Sequence, residues 1–179
     1  MDTIATSDLI FSNKINISGH NVILDPCYRY KRDDQILKYE GNGNGKKTRF
    51  VNLNQISEQL HRNPKEISKF LGIDLGTSFT FTGNTTIFNG HIRKEDMETS
   101  LKNYIEIFVL CKQCKLPEIH KYKLSKKKKG IKLKCLGCGF CGILDSDDHR
   151  LVSYIKAQIS QDKKDKKDKK DKKGKNIKK

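Results

Sequence analysis

The sequence predicts an α+β protein: a small α/β domain with a mixed sheet and short helices, then a four-cysteine ribbon, then a disordered Lys-rich tail. Three observations predict this. Short runs of alternating apolar and polar residues, such as Thr48-Arg-Phe-Val-Asn-Leu53 and Phe79-Thr-Phe-Thr82, read as strands. Segments with apolar residues three and four apart read as helices, the clearest being Met97, Leu101, Tyr104, Ile105 and Phe108. Two C-x-x-C pairs, Cys111/Cys114 and Cys135/Cys138, stand twenty residues apart. The expected divisions are an arm over 1–24, the α/β domain over 25–107, the ribbon and a C-terminal helix over 108–160, and the tail over 161–179.

Residues 1–24 show no clear period and are expected to form a loosely ordered arm. Asp25-Pro-Cys-Tyr-Arg-Tyr-Lys-Arg32 follows, an extended segment in which Tyr28 and Tyr30 can pack down while Arg29 points outward. Cys27 is expected to be a buried or idle thiol. Glu40-Gly-Asn-Gly-Asn-Gly-Lys-Lys-Thr48 is glycine-rich and basic at its end. It fails the phosphate-loop pattern G-x-x-x-x-G-K-[ST], because Glu40 stands where the first glycine should be and Lys47 where Ser or Thr should be. The strand after it argues the same way, since a phosphate loop opens a helix. What remains is a flexible loop able to approach phosphates held by another molecule.

Asn54 is expected to cap a short helix bearing Ile56 and Leu60. Asn63-Pro64 starts a second, with Ile67, Phe70 and Leu71 on its buried face and Gly72 closing it. The pair can be read as a DNA-binding helix-turn-helix or as cover for the sheet. The second helix is short and carries few base-reading side chains, which favours cover. Phe79–Thr82, the turn Gly83-Asn84 and Thr85–Phe88 form a hairpin. A helix from Lys94 to about Glu106 then delivers the chain to Cys111.

The paired cysteines carry the strongest chemical signal. Each C-x-x-C knuckle can place two thiolates on one ion, and Zn²⁺ favours four in a closed tetrahedron. Cys111, Cys114, Cys135 and Cys138 are therefore the expected ligands of one structural zinc, and Cys141 a weaker competitor. Lys121–Leu124 and Ile131–Lys134 alternate as the two strands of a zinc ribbon, joined by a turn of Lys126 to Lys129 and Gly130. Residues 147–159 read as a helix with acids in its first turn. The Asp-Lys-Lys repeat from Asp162 has nothing apolar to bury.

The formal charge is +16, of which the tail from Asp162 contributes +7 and the remainder +9. Both parts favour a polyanionic neighbour, RNA or a ribonucleoprotein. No apolar run approaches the ~18 residues that cross a membrane. The N-terminus lacks signal-peptide features and the cysteines pair as knuckles, so a reducing, cytoplasmic setting is expected; a monomer is expected as well.

Several stretches together resemble the N-terminal half of eukaryotic translation initiation factor 5. They are Asp25-Pro-x-Tyr-Arg-Tyr-Lys31, Glu40-Gly-x-Gly-Asn-Gly-x-Lys-Thr48, Phe70-x-Gly-x-Asp-Leu-Gly76, Phe108-Val-Leu-Cys111-x-x-Cys114, Pro117-Glu118, Cys135-x-x-Cys138-Gly, Leu144-Asp145 and His149. Leu60-His-Arg-Asn-Pro-Lys65 and Leu75-Gly-Thr-Ser78 lean toward the beta subunit of initiation factor 2, which shares the α/β unit and the ribbon. The arm and the glycine loop favour factor 5.

The resemblance implies a GTPase-activating role toward initiation factor 2, whose gamma subunit holds GTP, with initiator tRNA on the small ribosomal subunit. It implies Arg29 as the group that promotes hydrolysis, with Lys47 and Lys69 in support. It also implies GTP contacts from Gly41, Asn42, Gly43, Asn44, Gly45, Lys46, Lys47 and Thr48, and proximity to tRNA or rRNA. The alternatives are a non-catalytic subunit of the beta kind and an RNA-binding zinc ribbon. Cys27 replaces a family aromatic. The family's C-terminal helical-repeat domain is expected to be absent, with the lysine tail in its place.

Overall fold

The computed structural model describes residues 14–17, 25, 27–83, 85–119, 122–125, 130–144 and 149–161. Most of the expected arm, the lysine turn Lys126 to Lys129 and the tail from Asp162 lie outside these. The chain falls into two compact units, divided between Leu110 and Cys111.

The first unit begins with a strand where a loose arm was expected. β1 (Lys14–Asn16) pairs antiparallel with β2 (Lys31–Asp33), Ile15 opposite Arg32. Ile15 and Ile17 are buried, so Lys-Ile-Asn-Ile has the period of a half-buried strand. β3 (Leu37–Glu40), β4 (Lys47–Phe50), β5 (Phe79–Thr82) and β6 (Thr85–Asn89) form one sheet in the order β3-β4-β6-β5. Every pairing in it is antiparallel, where a mixed sheet was expected. Two hairpins, β3-β4 and β5-β6, build it, and antiparallel neighbours need only short turns. The expected hairpin stands, with Thr82 opposite Thr85 and Gly83 at φ 56°.

Among the described residues three α-helices belong to this unit: α1 (Leu53–Gln59), α2 (Pro64–Asp74) and α3 (Lys94–Tyr104). Thr48, Phe50, Thr86 and Phe88 alternate onto one face of the sheet and are fully buried. Ser68 on α2 shares a 2.8 Å hydrogen bond with Thr86 on β6, so α2 covers that face. The aromatic centre is Phe70, Tyr104 and Phe108: Phe70 meets Tyr104 edge-on at 5.3 Å, and Tyr104 stacks on Phe108 at 5.4 Å. Burying a phenylalanine of this kind contributes roughly 1.5–3 kcal/mol. The Tyr104 hydroxyl donates to Glu66 at 2.7 Å, satisfying both polar tips inside.

Three helix ends depart from expectation. α1 starts at Leu53, and Asn52 takes the cap position in place of Asn54. Asn52 does not cap with its side chain; it bridges the β2–β3 link, donating to the Asp34 carbonyl and accepting from the Ile36 N–H. Gly72 does not close α2. Gly76, at φ 63°, does: Thr77 N–H reaches the Gly72 carbonyl at 2.9 Å and Gly76 N–H the Ile73 carbonyl, a Schellman motif. Gly72 instead lets β5 approach, for a Cβ there would sit 2.8 Å from the Phe79 ring. α3 is extended by a π-helical turn, Ile105–Val109, where an exit toward Cys111 was expected. The turn keeps Phe108 and Val109 in the core, and Arg62 donates to the Phe108 carbonyl at 2.6 Å.

The second unit holds a three-stranded antiparallel sheet of β7 (Tyr122–Leu124), β8 (Ile131–Lys134) and β9 (Cys141–Leu144). β9 was not anticipated. Ile131 and Leu133 point inward and are buried; Lys132 and Lys134 point outward. Residues 151–161 form α4. His149 accepts the Leu151 N–H on Nδ1 at 3.0 Å, helping to start that helix. Among the described residues no helix is long and apolar enough to cross a membrane.

Candidate metal centre and arginine arm

The two knuckles are built alike. In the first, Cys111 N–H bonds the Leu116 carbonyl at 2.9 Å, and Lys115 turns the chain at φ 58°. In the second, Cys135 N–H bonds the Phe140 carbonyl at 2.9 Å, and Gly139 turns it at φ 75°. Each knuckle aims its backbone N–H groups at sulfur. Cys111 Sγ accepts from Gln113 and Cys114, Cys114 Sγ from Leu116, and Cys138 Sγ from Phe140.

All four sulfurs lie within 4.8 Å of one another. Cys111–Cys138 and Cys114–Cys135 are each 3.7 Å apart. A tetrahedron with Zn–S bonds near ~2.3 Å has S–S edges of about 3.8 Å. The donor set and its size therefore fit one zinc ion, which would cross-link the two knuckles with no coordination position left for chemistry. Cys141 stands outside this group, with its Sγ near the Gly139 carbonyl at 3.6 Å.

The crowded sulfurs shift Cys111 and Cys138 in opposite directions. Burial raises the Cys111 thiol, but the N–H groups of Cys114 and Gln113 and the neighbouring sulfurs outweigh it, leaving it at about 7. At Cys138 the Phe140 N–H favours the thiolate. Burial and the sulfurs of Cys114, Cys111 and Cys135 override it, pushing the thiol up to about 12.

The arm presents Arg29 at the end of the β1-β2 ribbon. Asp25 makes a tight turn there, accepting the Cys27 N–H on its side chain at 2.8 Å and the Tyr28 N–H on its carbonyl. Tyr28 and Tyr30 meet edge-on at 6.2 Å, and the Tyr30 carbonyl accepts the Ile17 N–H at 3.1 Å. Arg29 is exposed, its guanidinium 5.7 Å from the Tyr30 ring. Cys27 is exposed as well.

The glycine loop joins β3 to β4 as a hairpin connection. Gly41 has φ 81°, and a Cβ there would fall 2.3 Å from the Gly45 carbonyl oxygen, so only glycine fits. Gly43–Gly45 form one 3-10 turn. Gly41, Asn42, Gly43, Asn44, Gly45, Lys46 and Lys47 are exposed, whereas Thr48 is fully buried. Its hydroxyl donates to the Gly90 carbonyl at 2.8 Å and accepts the Ile92 N–H at 3.0 Å. Lys47 lies on β4 opposite Glu40 and Asn89. Lys69 is exposed on α2 and borders a cleft of about 230 Å³ with Gly72, Ile73, Thr77, Ser78 and Phe79. Arg29, Lys47 and Lys69 thus stand on three separate elements of the first unit.

Residues 20–142 match the model of a family described as a domain found in initiation factors 2B and 5. The chain belongs to this initiation-factor domain family. Its relatives include eukaryotic translation initiation factor 5 of Mus musculus, 34% identical over 143 residues, covering 79% of this chain and 33% of the relative. The factor 5 of Dictyostelium discoideum is 40% identical over 131 residues, covering 73% and 32%. That of Caenorhabditis elegans is 36% identical over 141 residues, covering 78% and 31%. The chain spans about a third of the length of these curated relatives.

Within the initiation-factor domain, sequence reasoning overlooked Arg32 and Glu98. Arg32 is 1% exposed and its guanidinium is paired with Glu98 on α3. Beside it, Asp33 accepts from Gln59 Nε2 at 2.7 Å and its N–H donates to Gln59 Oε1, fastening β2 to α1. The signal was present in part, since Lys31-Arg32-Asp33 continues the β2 alternation with Arg32 on the Ile15 face.

Proposed function

We propose that this chain acts in translation initiation by promoting GTP hydrolysis on initiation factor 2, which carries initiator tRNA on the small ribosomal subunit. The observation that carries the reading is the arm: an exposed arginine between two tyrosines, on a two-stranded ribbon fastened to α1 and α3 through its neighbours. Phosphoryl transfer spreads charge onto the phosphate oxygens. A guanidinium supplied in trans stabilises that charge, worth about 10³–10⁵ in rate. Arginine suits the task because its planar fork offers paired donors. Lys47 and Lys69 supply supporting positive charge. The exposed backbone from Gly41 to Lys47 can approach phosphates held by the partner, while Thr48 serves the fold. GTP is the partner's substrate, so this chain needs no nucleotide site of its own.

The test is single-turnover GTP hydrolysis in reconstituted initiation complexes, with and without the protein. Acceleration by the wild-type chain and its loss with Arg29→Ala supports the proposal. Unchanged hydrolysis, with stable co-purification with the other two subunits of factor 2, would instead identify a beta-like subunit.

A further inference from the structure

Among the described residues, the outward face of the ribbon sheet carries lysines and no acid. Between Cys111 and Cys135 the sequence has ten lysines and one acid, Glu118. Glu118 is buried and is not one of the strand residues on this face. Register sets three of the lysines side by side: Lys123 lies opposite Lys132, and Lys134 follows two residues on. All three are exposed, and none has an ion pair among the described residues. Ile143 sits opposite Lys132 on the third strand, 39% exposed, and Cys141 sits opposite Lys134. The aromatic Tyr122 belongs to the other face, opposite Leu133.

Like charges placed directly across an antiparallel pair are destabilising. The Lys123–Lys132 pair therefore works against its own sheet unless something anionic lies over it. We propose that this face, Lys123, Lys132 and Lys134, is a docking surface for the phosphate backbone of a single RNA strand. Lys132 and Lys134 are about 6.6 Å apart along one strand and Lys123 lies across from Lys132, a cluster of point charges spaced to meet successive phosphates. Among the described residues no aromatic ring lies on this face to stack a base. Binding through this face is thus independent of sequence and governed by counterion release. The inference does not depend on the GTP reading, and its test uses no nucleotide.

The experiment measures binding of the zinc-loaded full chain to a short fluorescent oligouridylate by anisotropy across a salt series. The comparison is with a triple variant, Lys123→Gln, Lys132→Gln and Lys134→Gln. The tail is common to both, so its share of the salt dependence cancels. Losing three phosphate contacts should make the slope of log K against log salt shallower by about 2. A second variant, Lys123→Glu, separates binding from folding. It should weaken RNA binding and at the same time raise the melting temperature, because it turns a repulsive cross-strand pair into an attractive one. An unchanged salt slope in the triple variant overturns the proposal. So does Lys123→Glu lowering stability and binding together. If RNA binding is unmoved but binding to polyglutamate is lost, the face serves an acidic protein, and the proposal is wrong.

Discussion

The guanidinium of Arg32 on β2 and the carboxylate of Glu98 on α3 are joined inside the first unit, three residues from exposed Arg29. This pair ties the arm to the longest helical segment of the domain. Removing one member leaves an unpaired buried charge, which typically destabilises by about 3–5 kcal/mol, whereas replacing both with apolar groups can be near neutral. Arg32→Met and Glu98→Leu should each lower the urea midpoint markedly. Arg32→Met with Glu98→Leu should recover much of the loss. Tyrosine fluorescence reports the transition, since the chain has no tryptophan. Additive losses in the double variant would mean the pair is not a unit.

Arg29 should behave in the opposite way. Its side chain is exposed, so Arg29→Ala should change stability by no more than about 0.5 kcal/mol. Hydrolysis on factor 2 should nonetheless fall by orders of magnitude, toward the ~10³–10⁵ that an arginine supplied in trans contributes. Arg29→Lys should restore part of it, and Lys47→Ala and Lys69→Ala should each lose less. A stable Arg29→Ala protein with full activity would remove the arginine from the mechanism.

The metal site gives a third expectation. Plasma emission analysis should find one zinc per chain. Cys138→Ser should lose it, and Cys141→Ser should keep it. Ligation requires thiolates, so affinity falls as acid protonates them. With Cys111 already lowered to about 7 and Cys138 pushed up to about 12, zinc retention against a competing chelator should weaken steadily from alkaline to acid pH. Retention that rises toward acid would contradict a four-thiolate site.

Gly72 within α2 and Gly76 just past its end should separate cleanly. Gly72→Ala places a methyl against the Phe79 ring and the Thr77 carbonyl, at 2.8 and 3.0 Å. Overpacking of this sort costs about 1–3 kcal/mol. Gly76→Ala meets nothing within 4 Å and suffers only from its positive φ, at about 1–2 kcal/mol. Thermal melts of Gly76→Asn should show partial recovery, while Gly72→Asn should be worse than Gly72→Ala.

What the sequence made legible was local. The cysteine knuckles, the Gly83 hairpin, the Asn63-Pro64 start and the apolar stripe of α3 each carry their signal within a few residues. The candidate metal ligands were readable for the same reason. What escaped depended on distant partners. β1 looks like part of a polar arm until β2 supplies its hydrogen bonds. The buried Arg32 is explained only by Glu98, sixty-six positions away. Gly72 and Gly76 both look like helix stops, and only the approach of Phe79 assigns them different tasks. β9 starts three residues after a metal ligand and is too short to show an alternation of its own.

The knuckles are alike in path but unequal in what they demand of the chain. Gly139 adopts its left-handed turn freely, whereas Lys115 holds the same kind of turn against the preference of a side chain. When zinc is withdrawn, the half that was held open by force should relax first, so the ribbon should have a direction of unravelling. Amide exchange started by chelation should reach residues 111–116 before residues 135–140. Since Cys111 opens the second unit, metal depletion would then register at the entrance to the ribbon while its far knuckle still keeps its form.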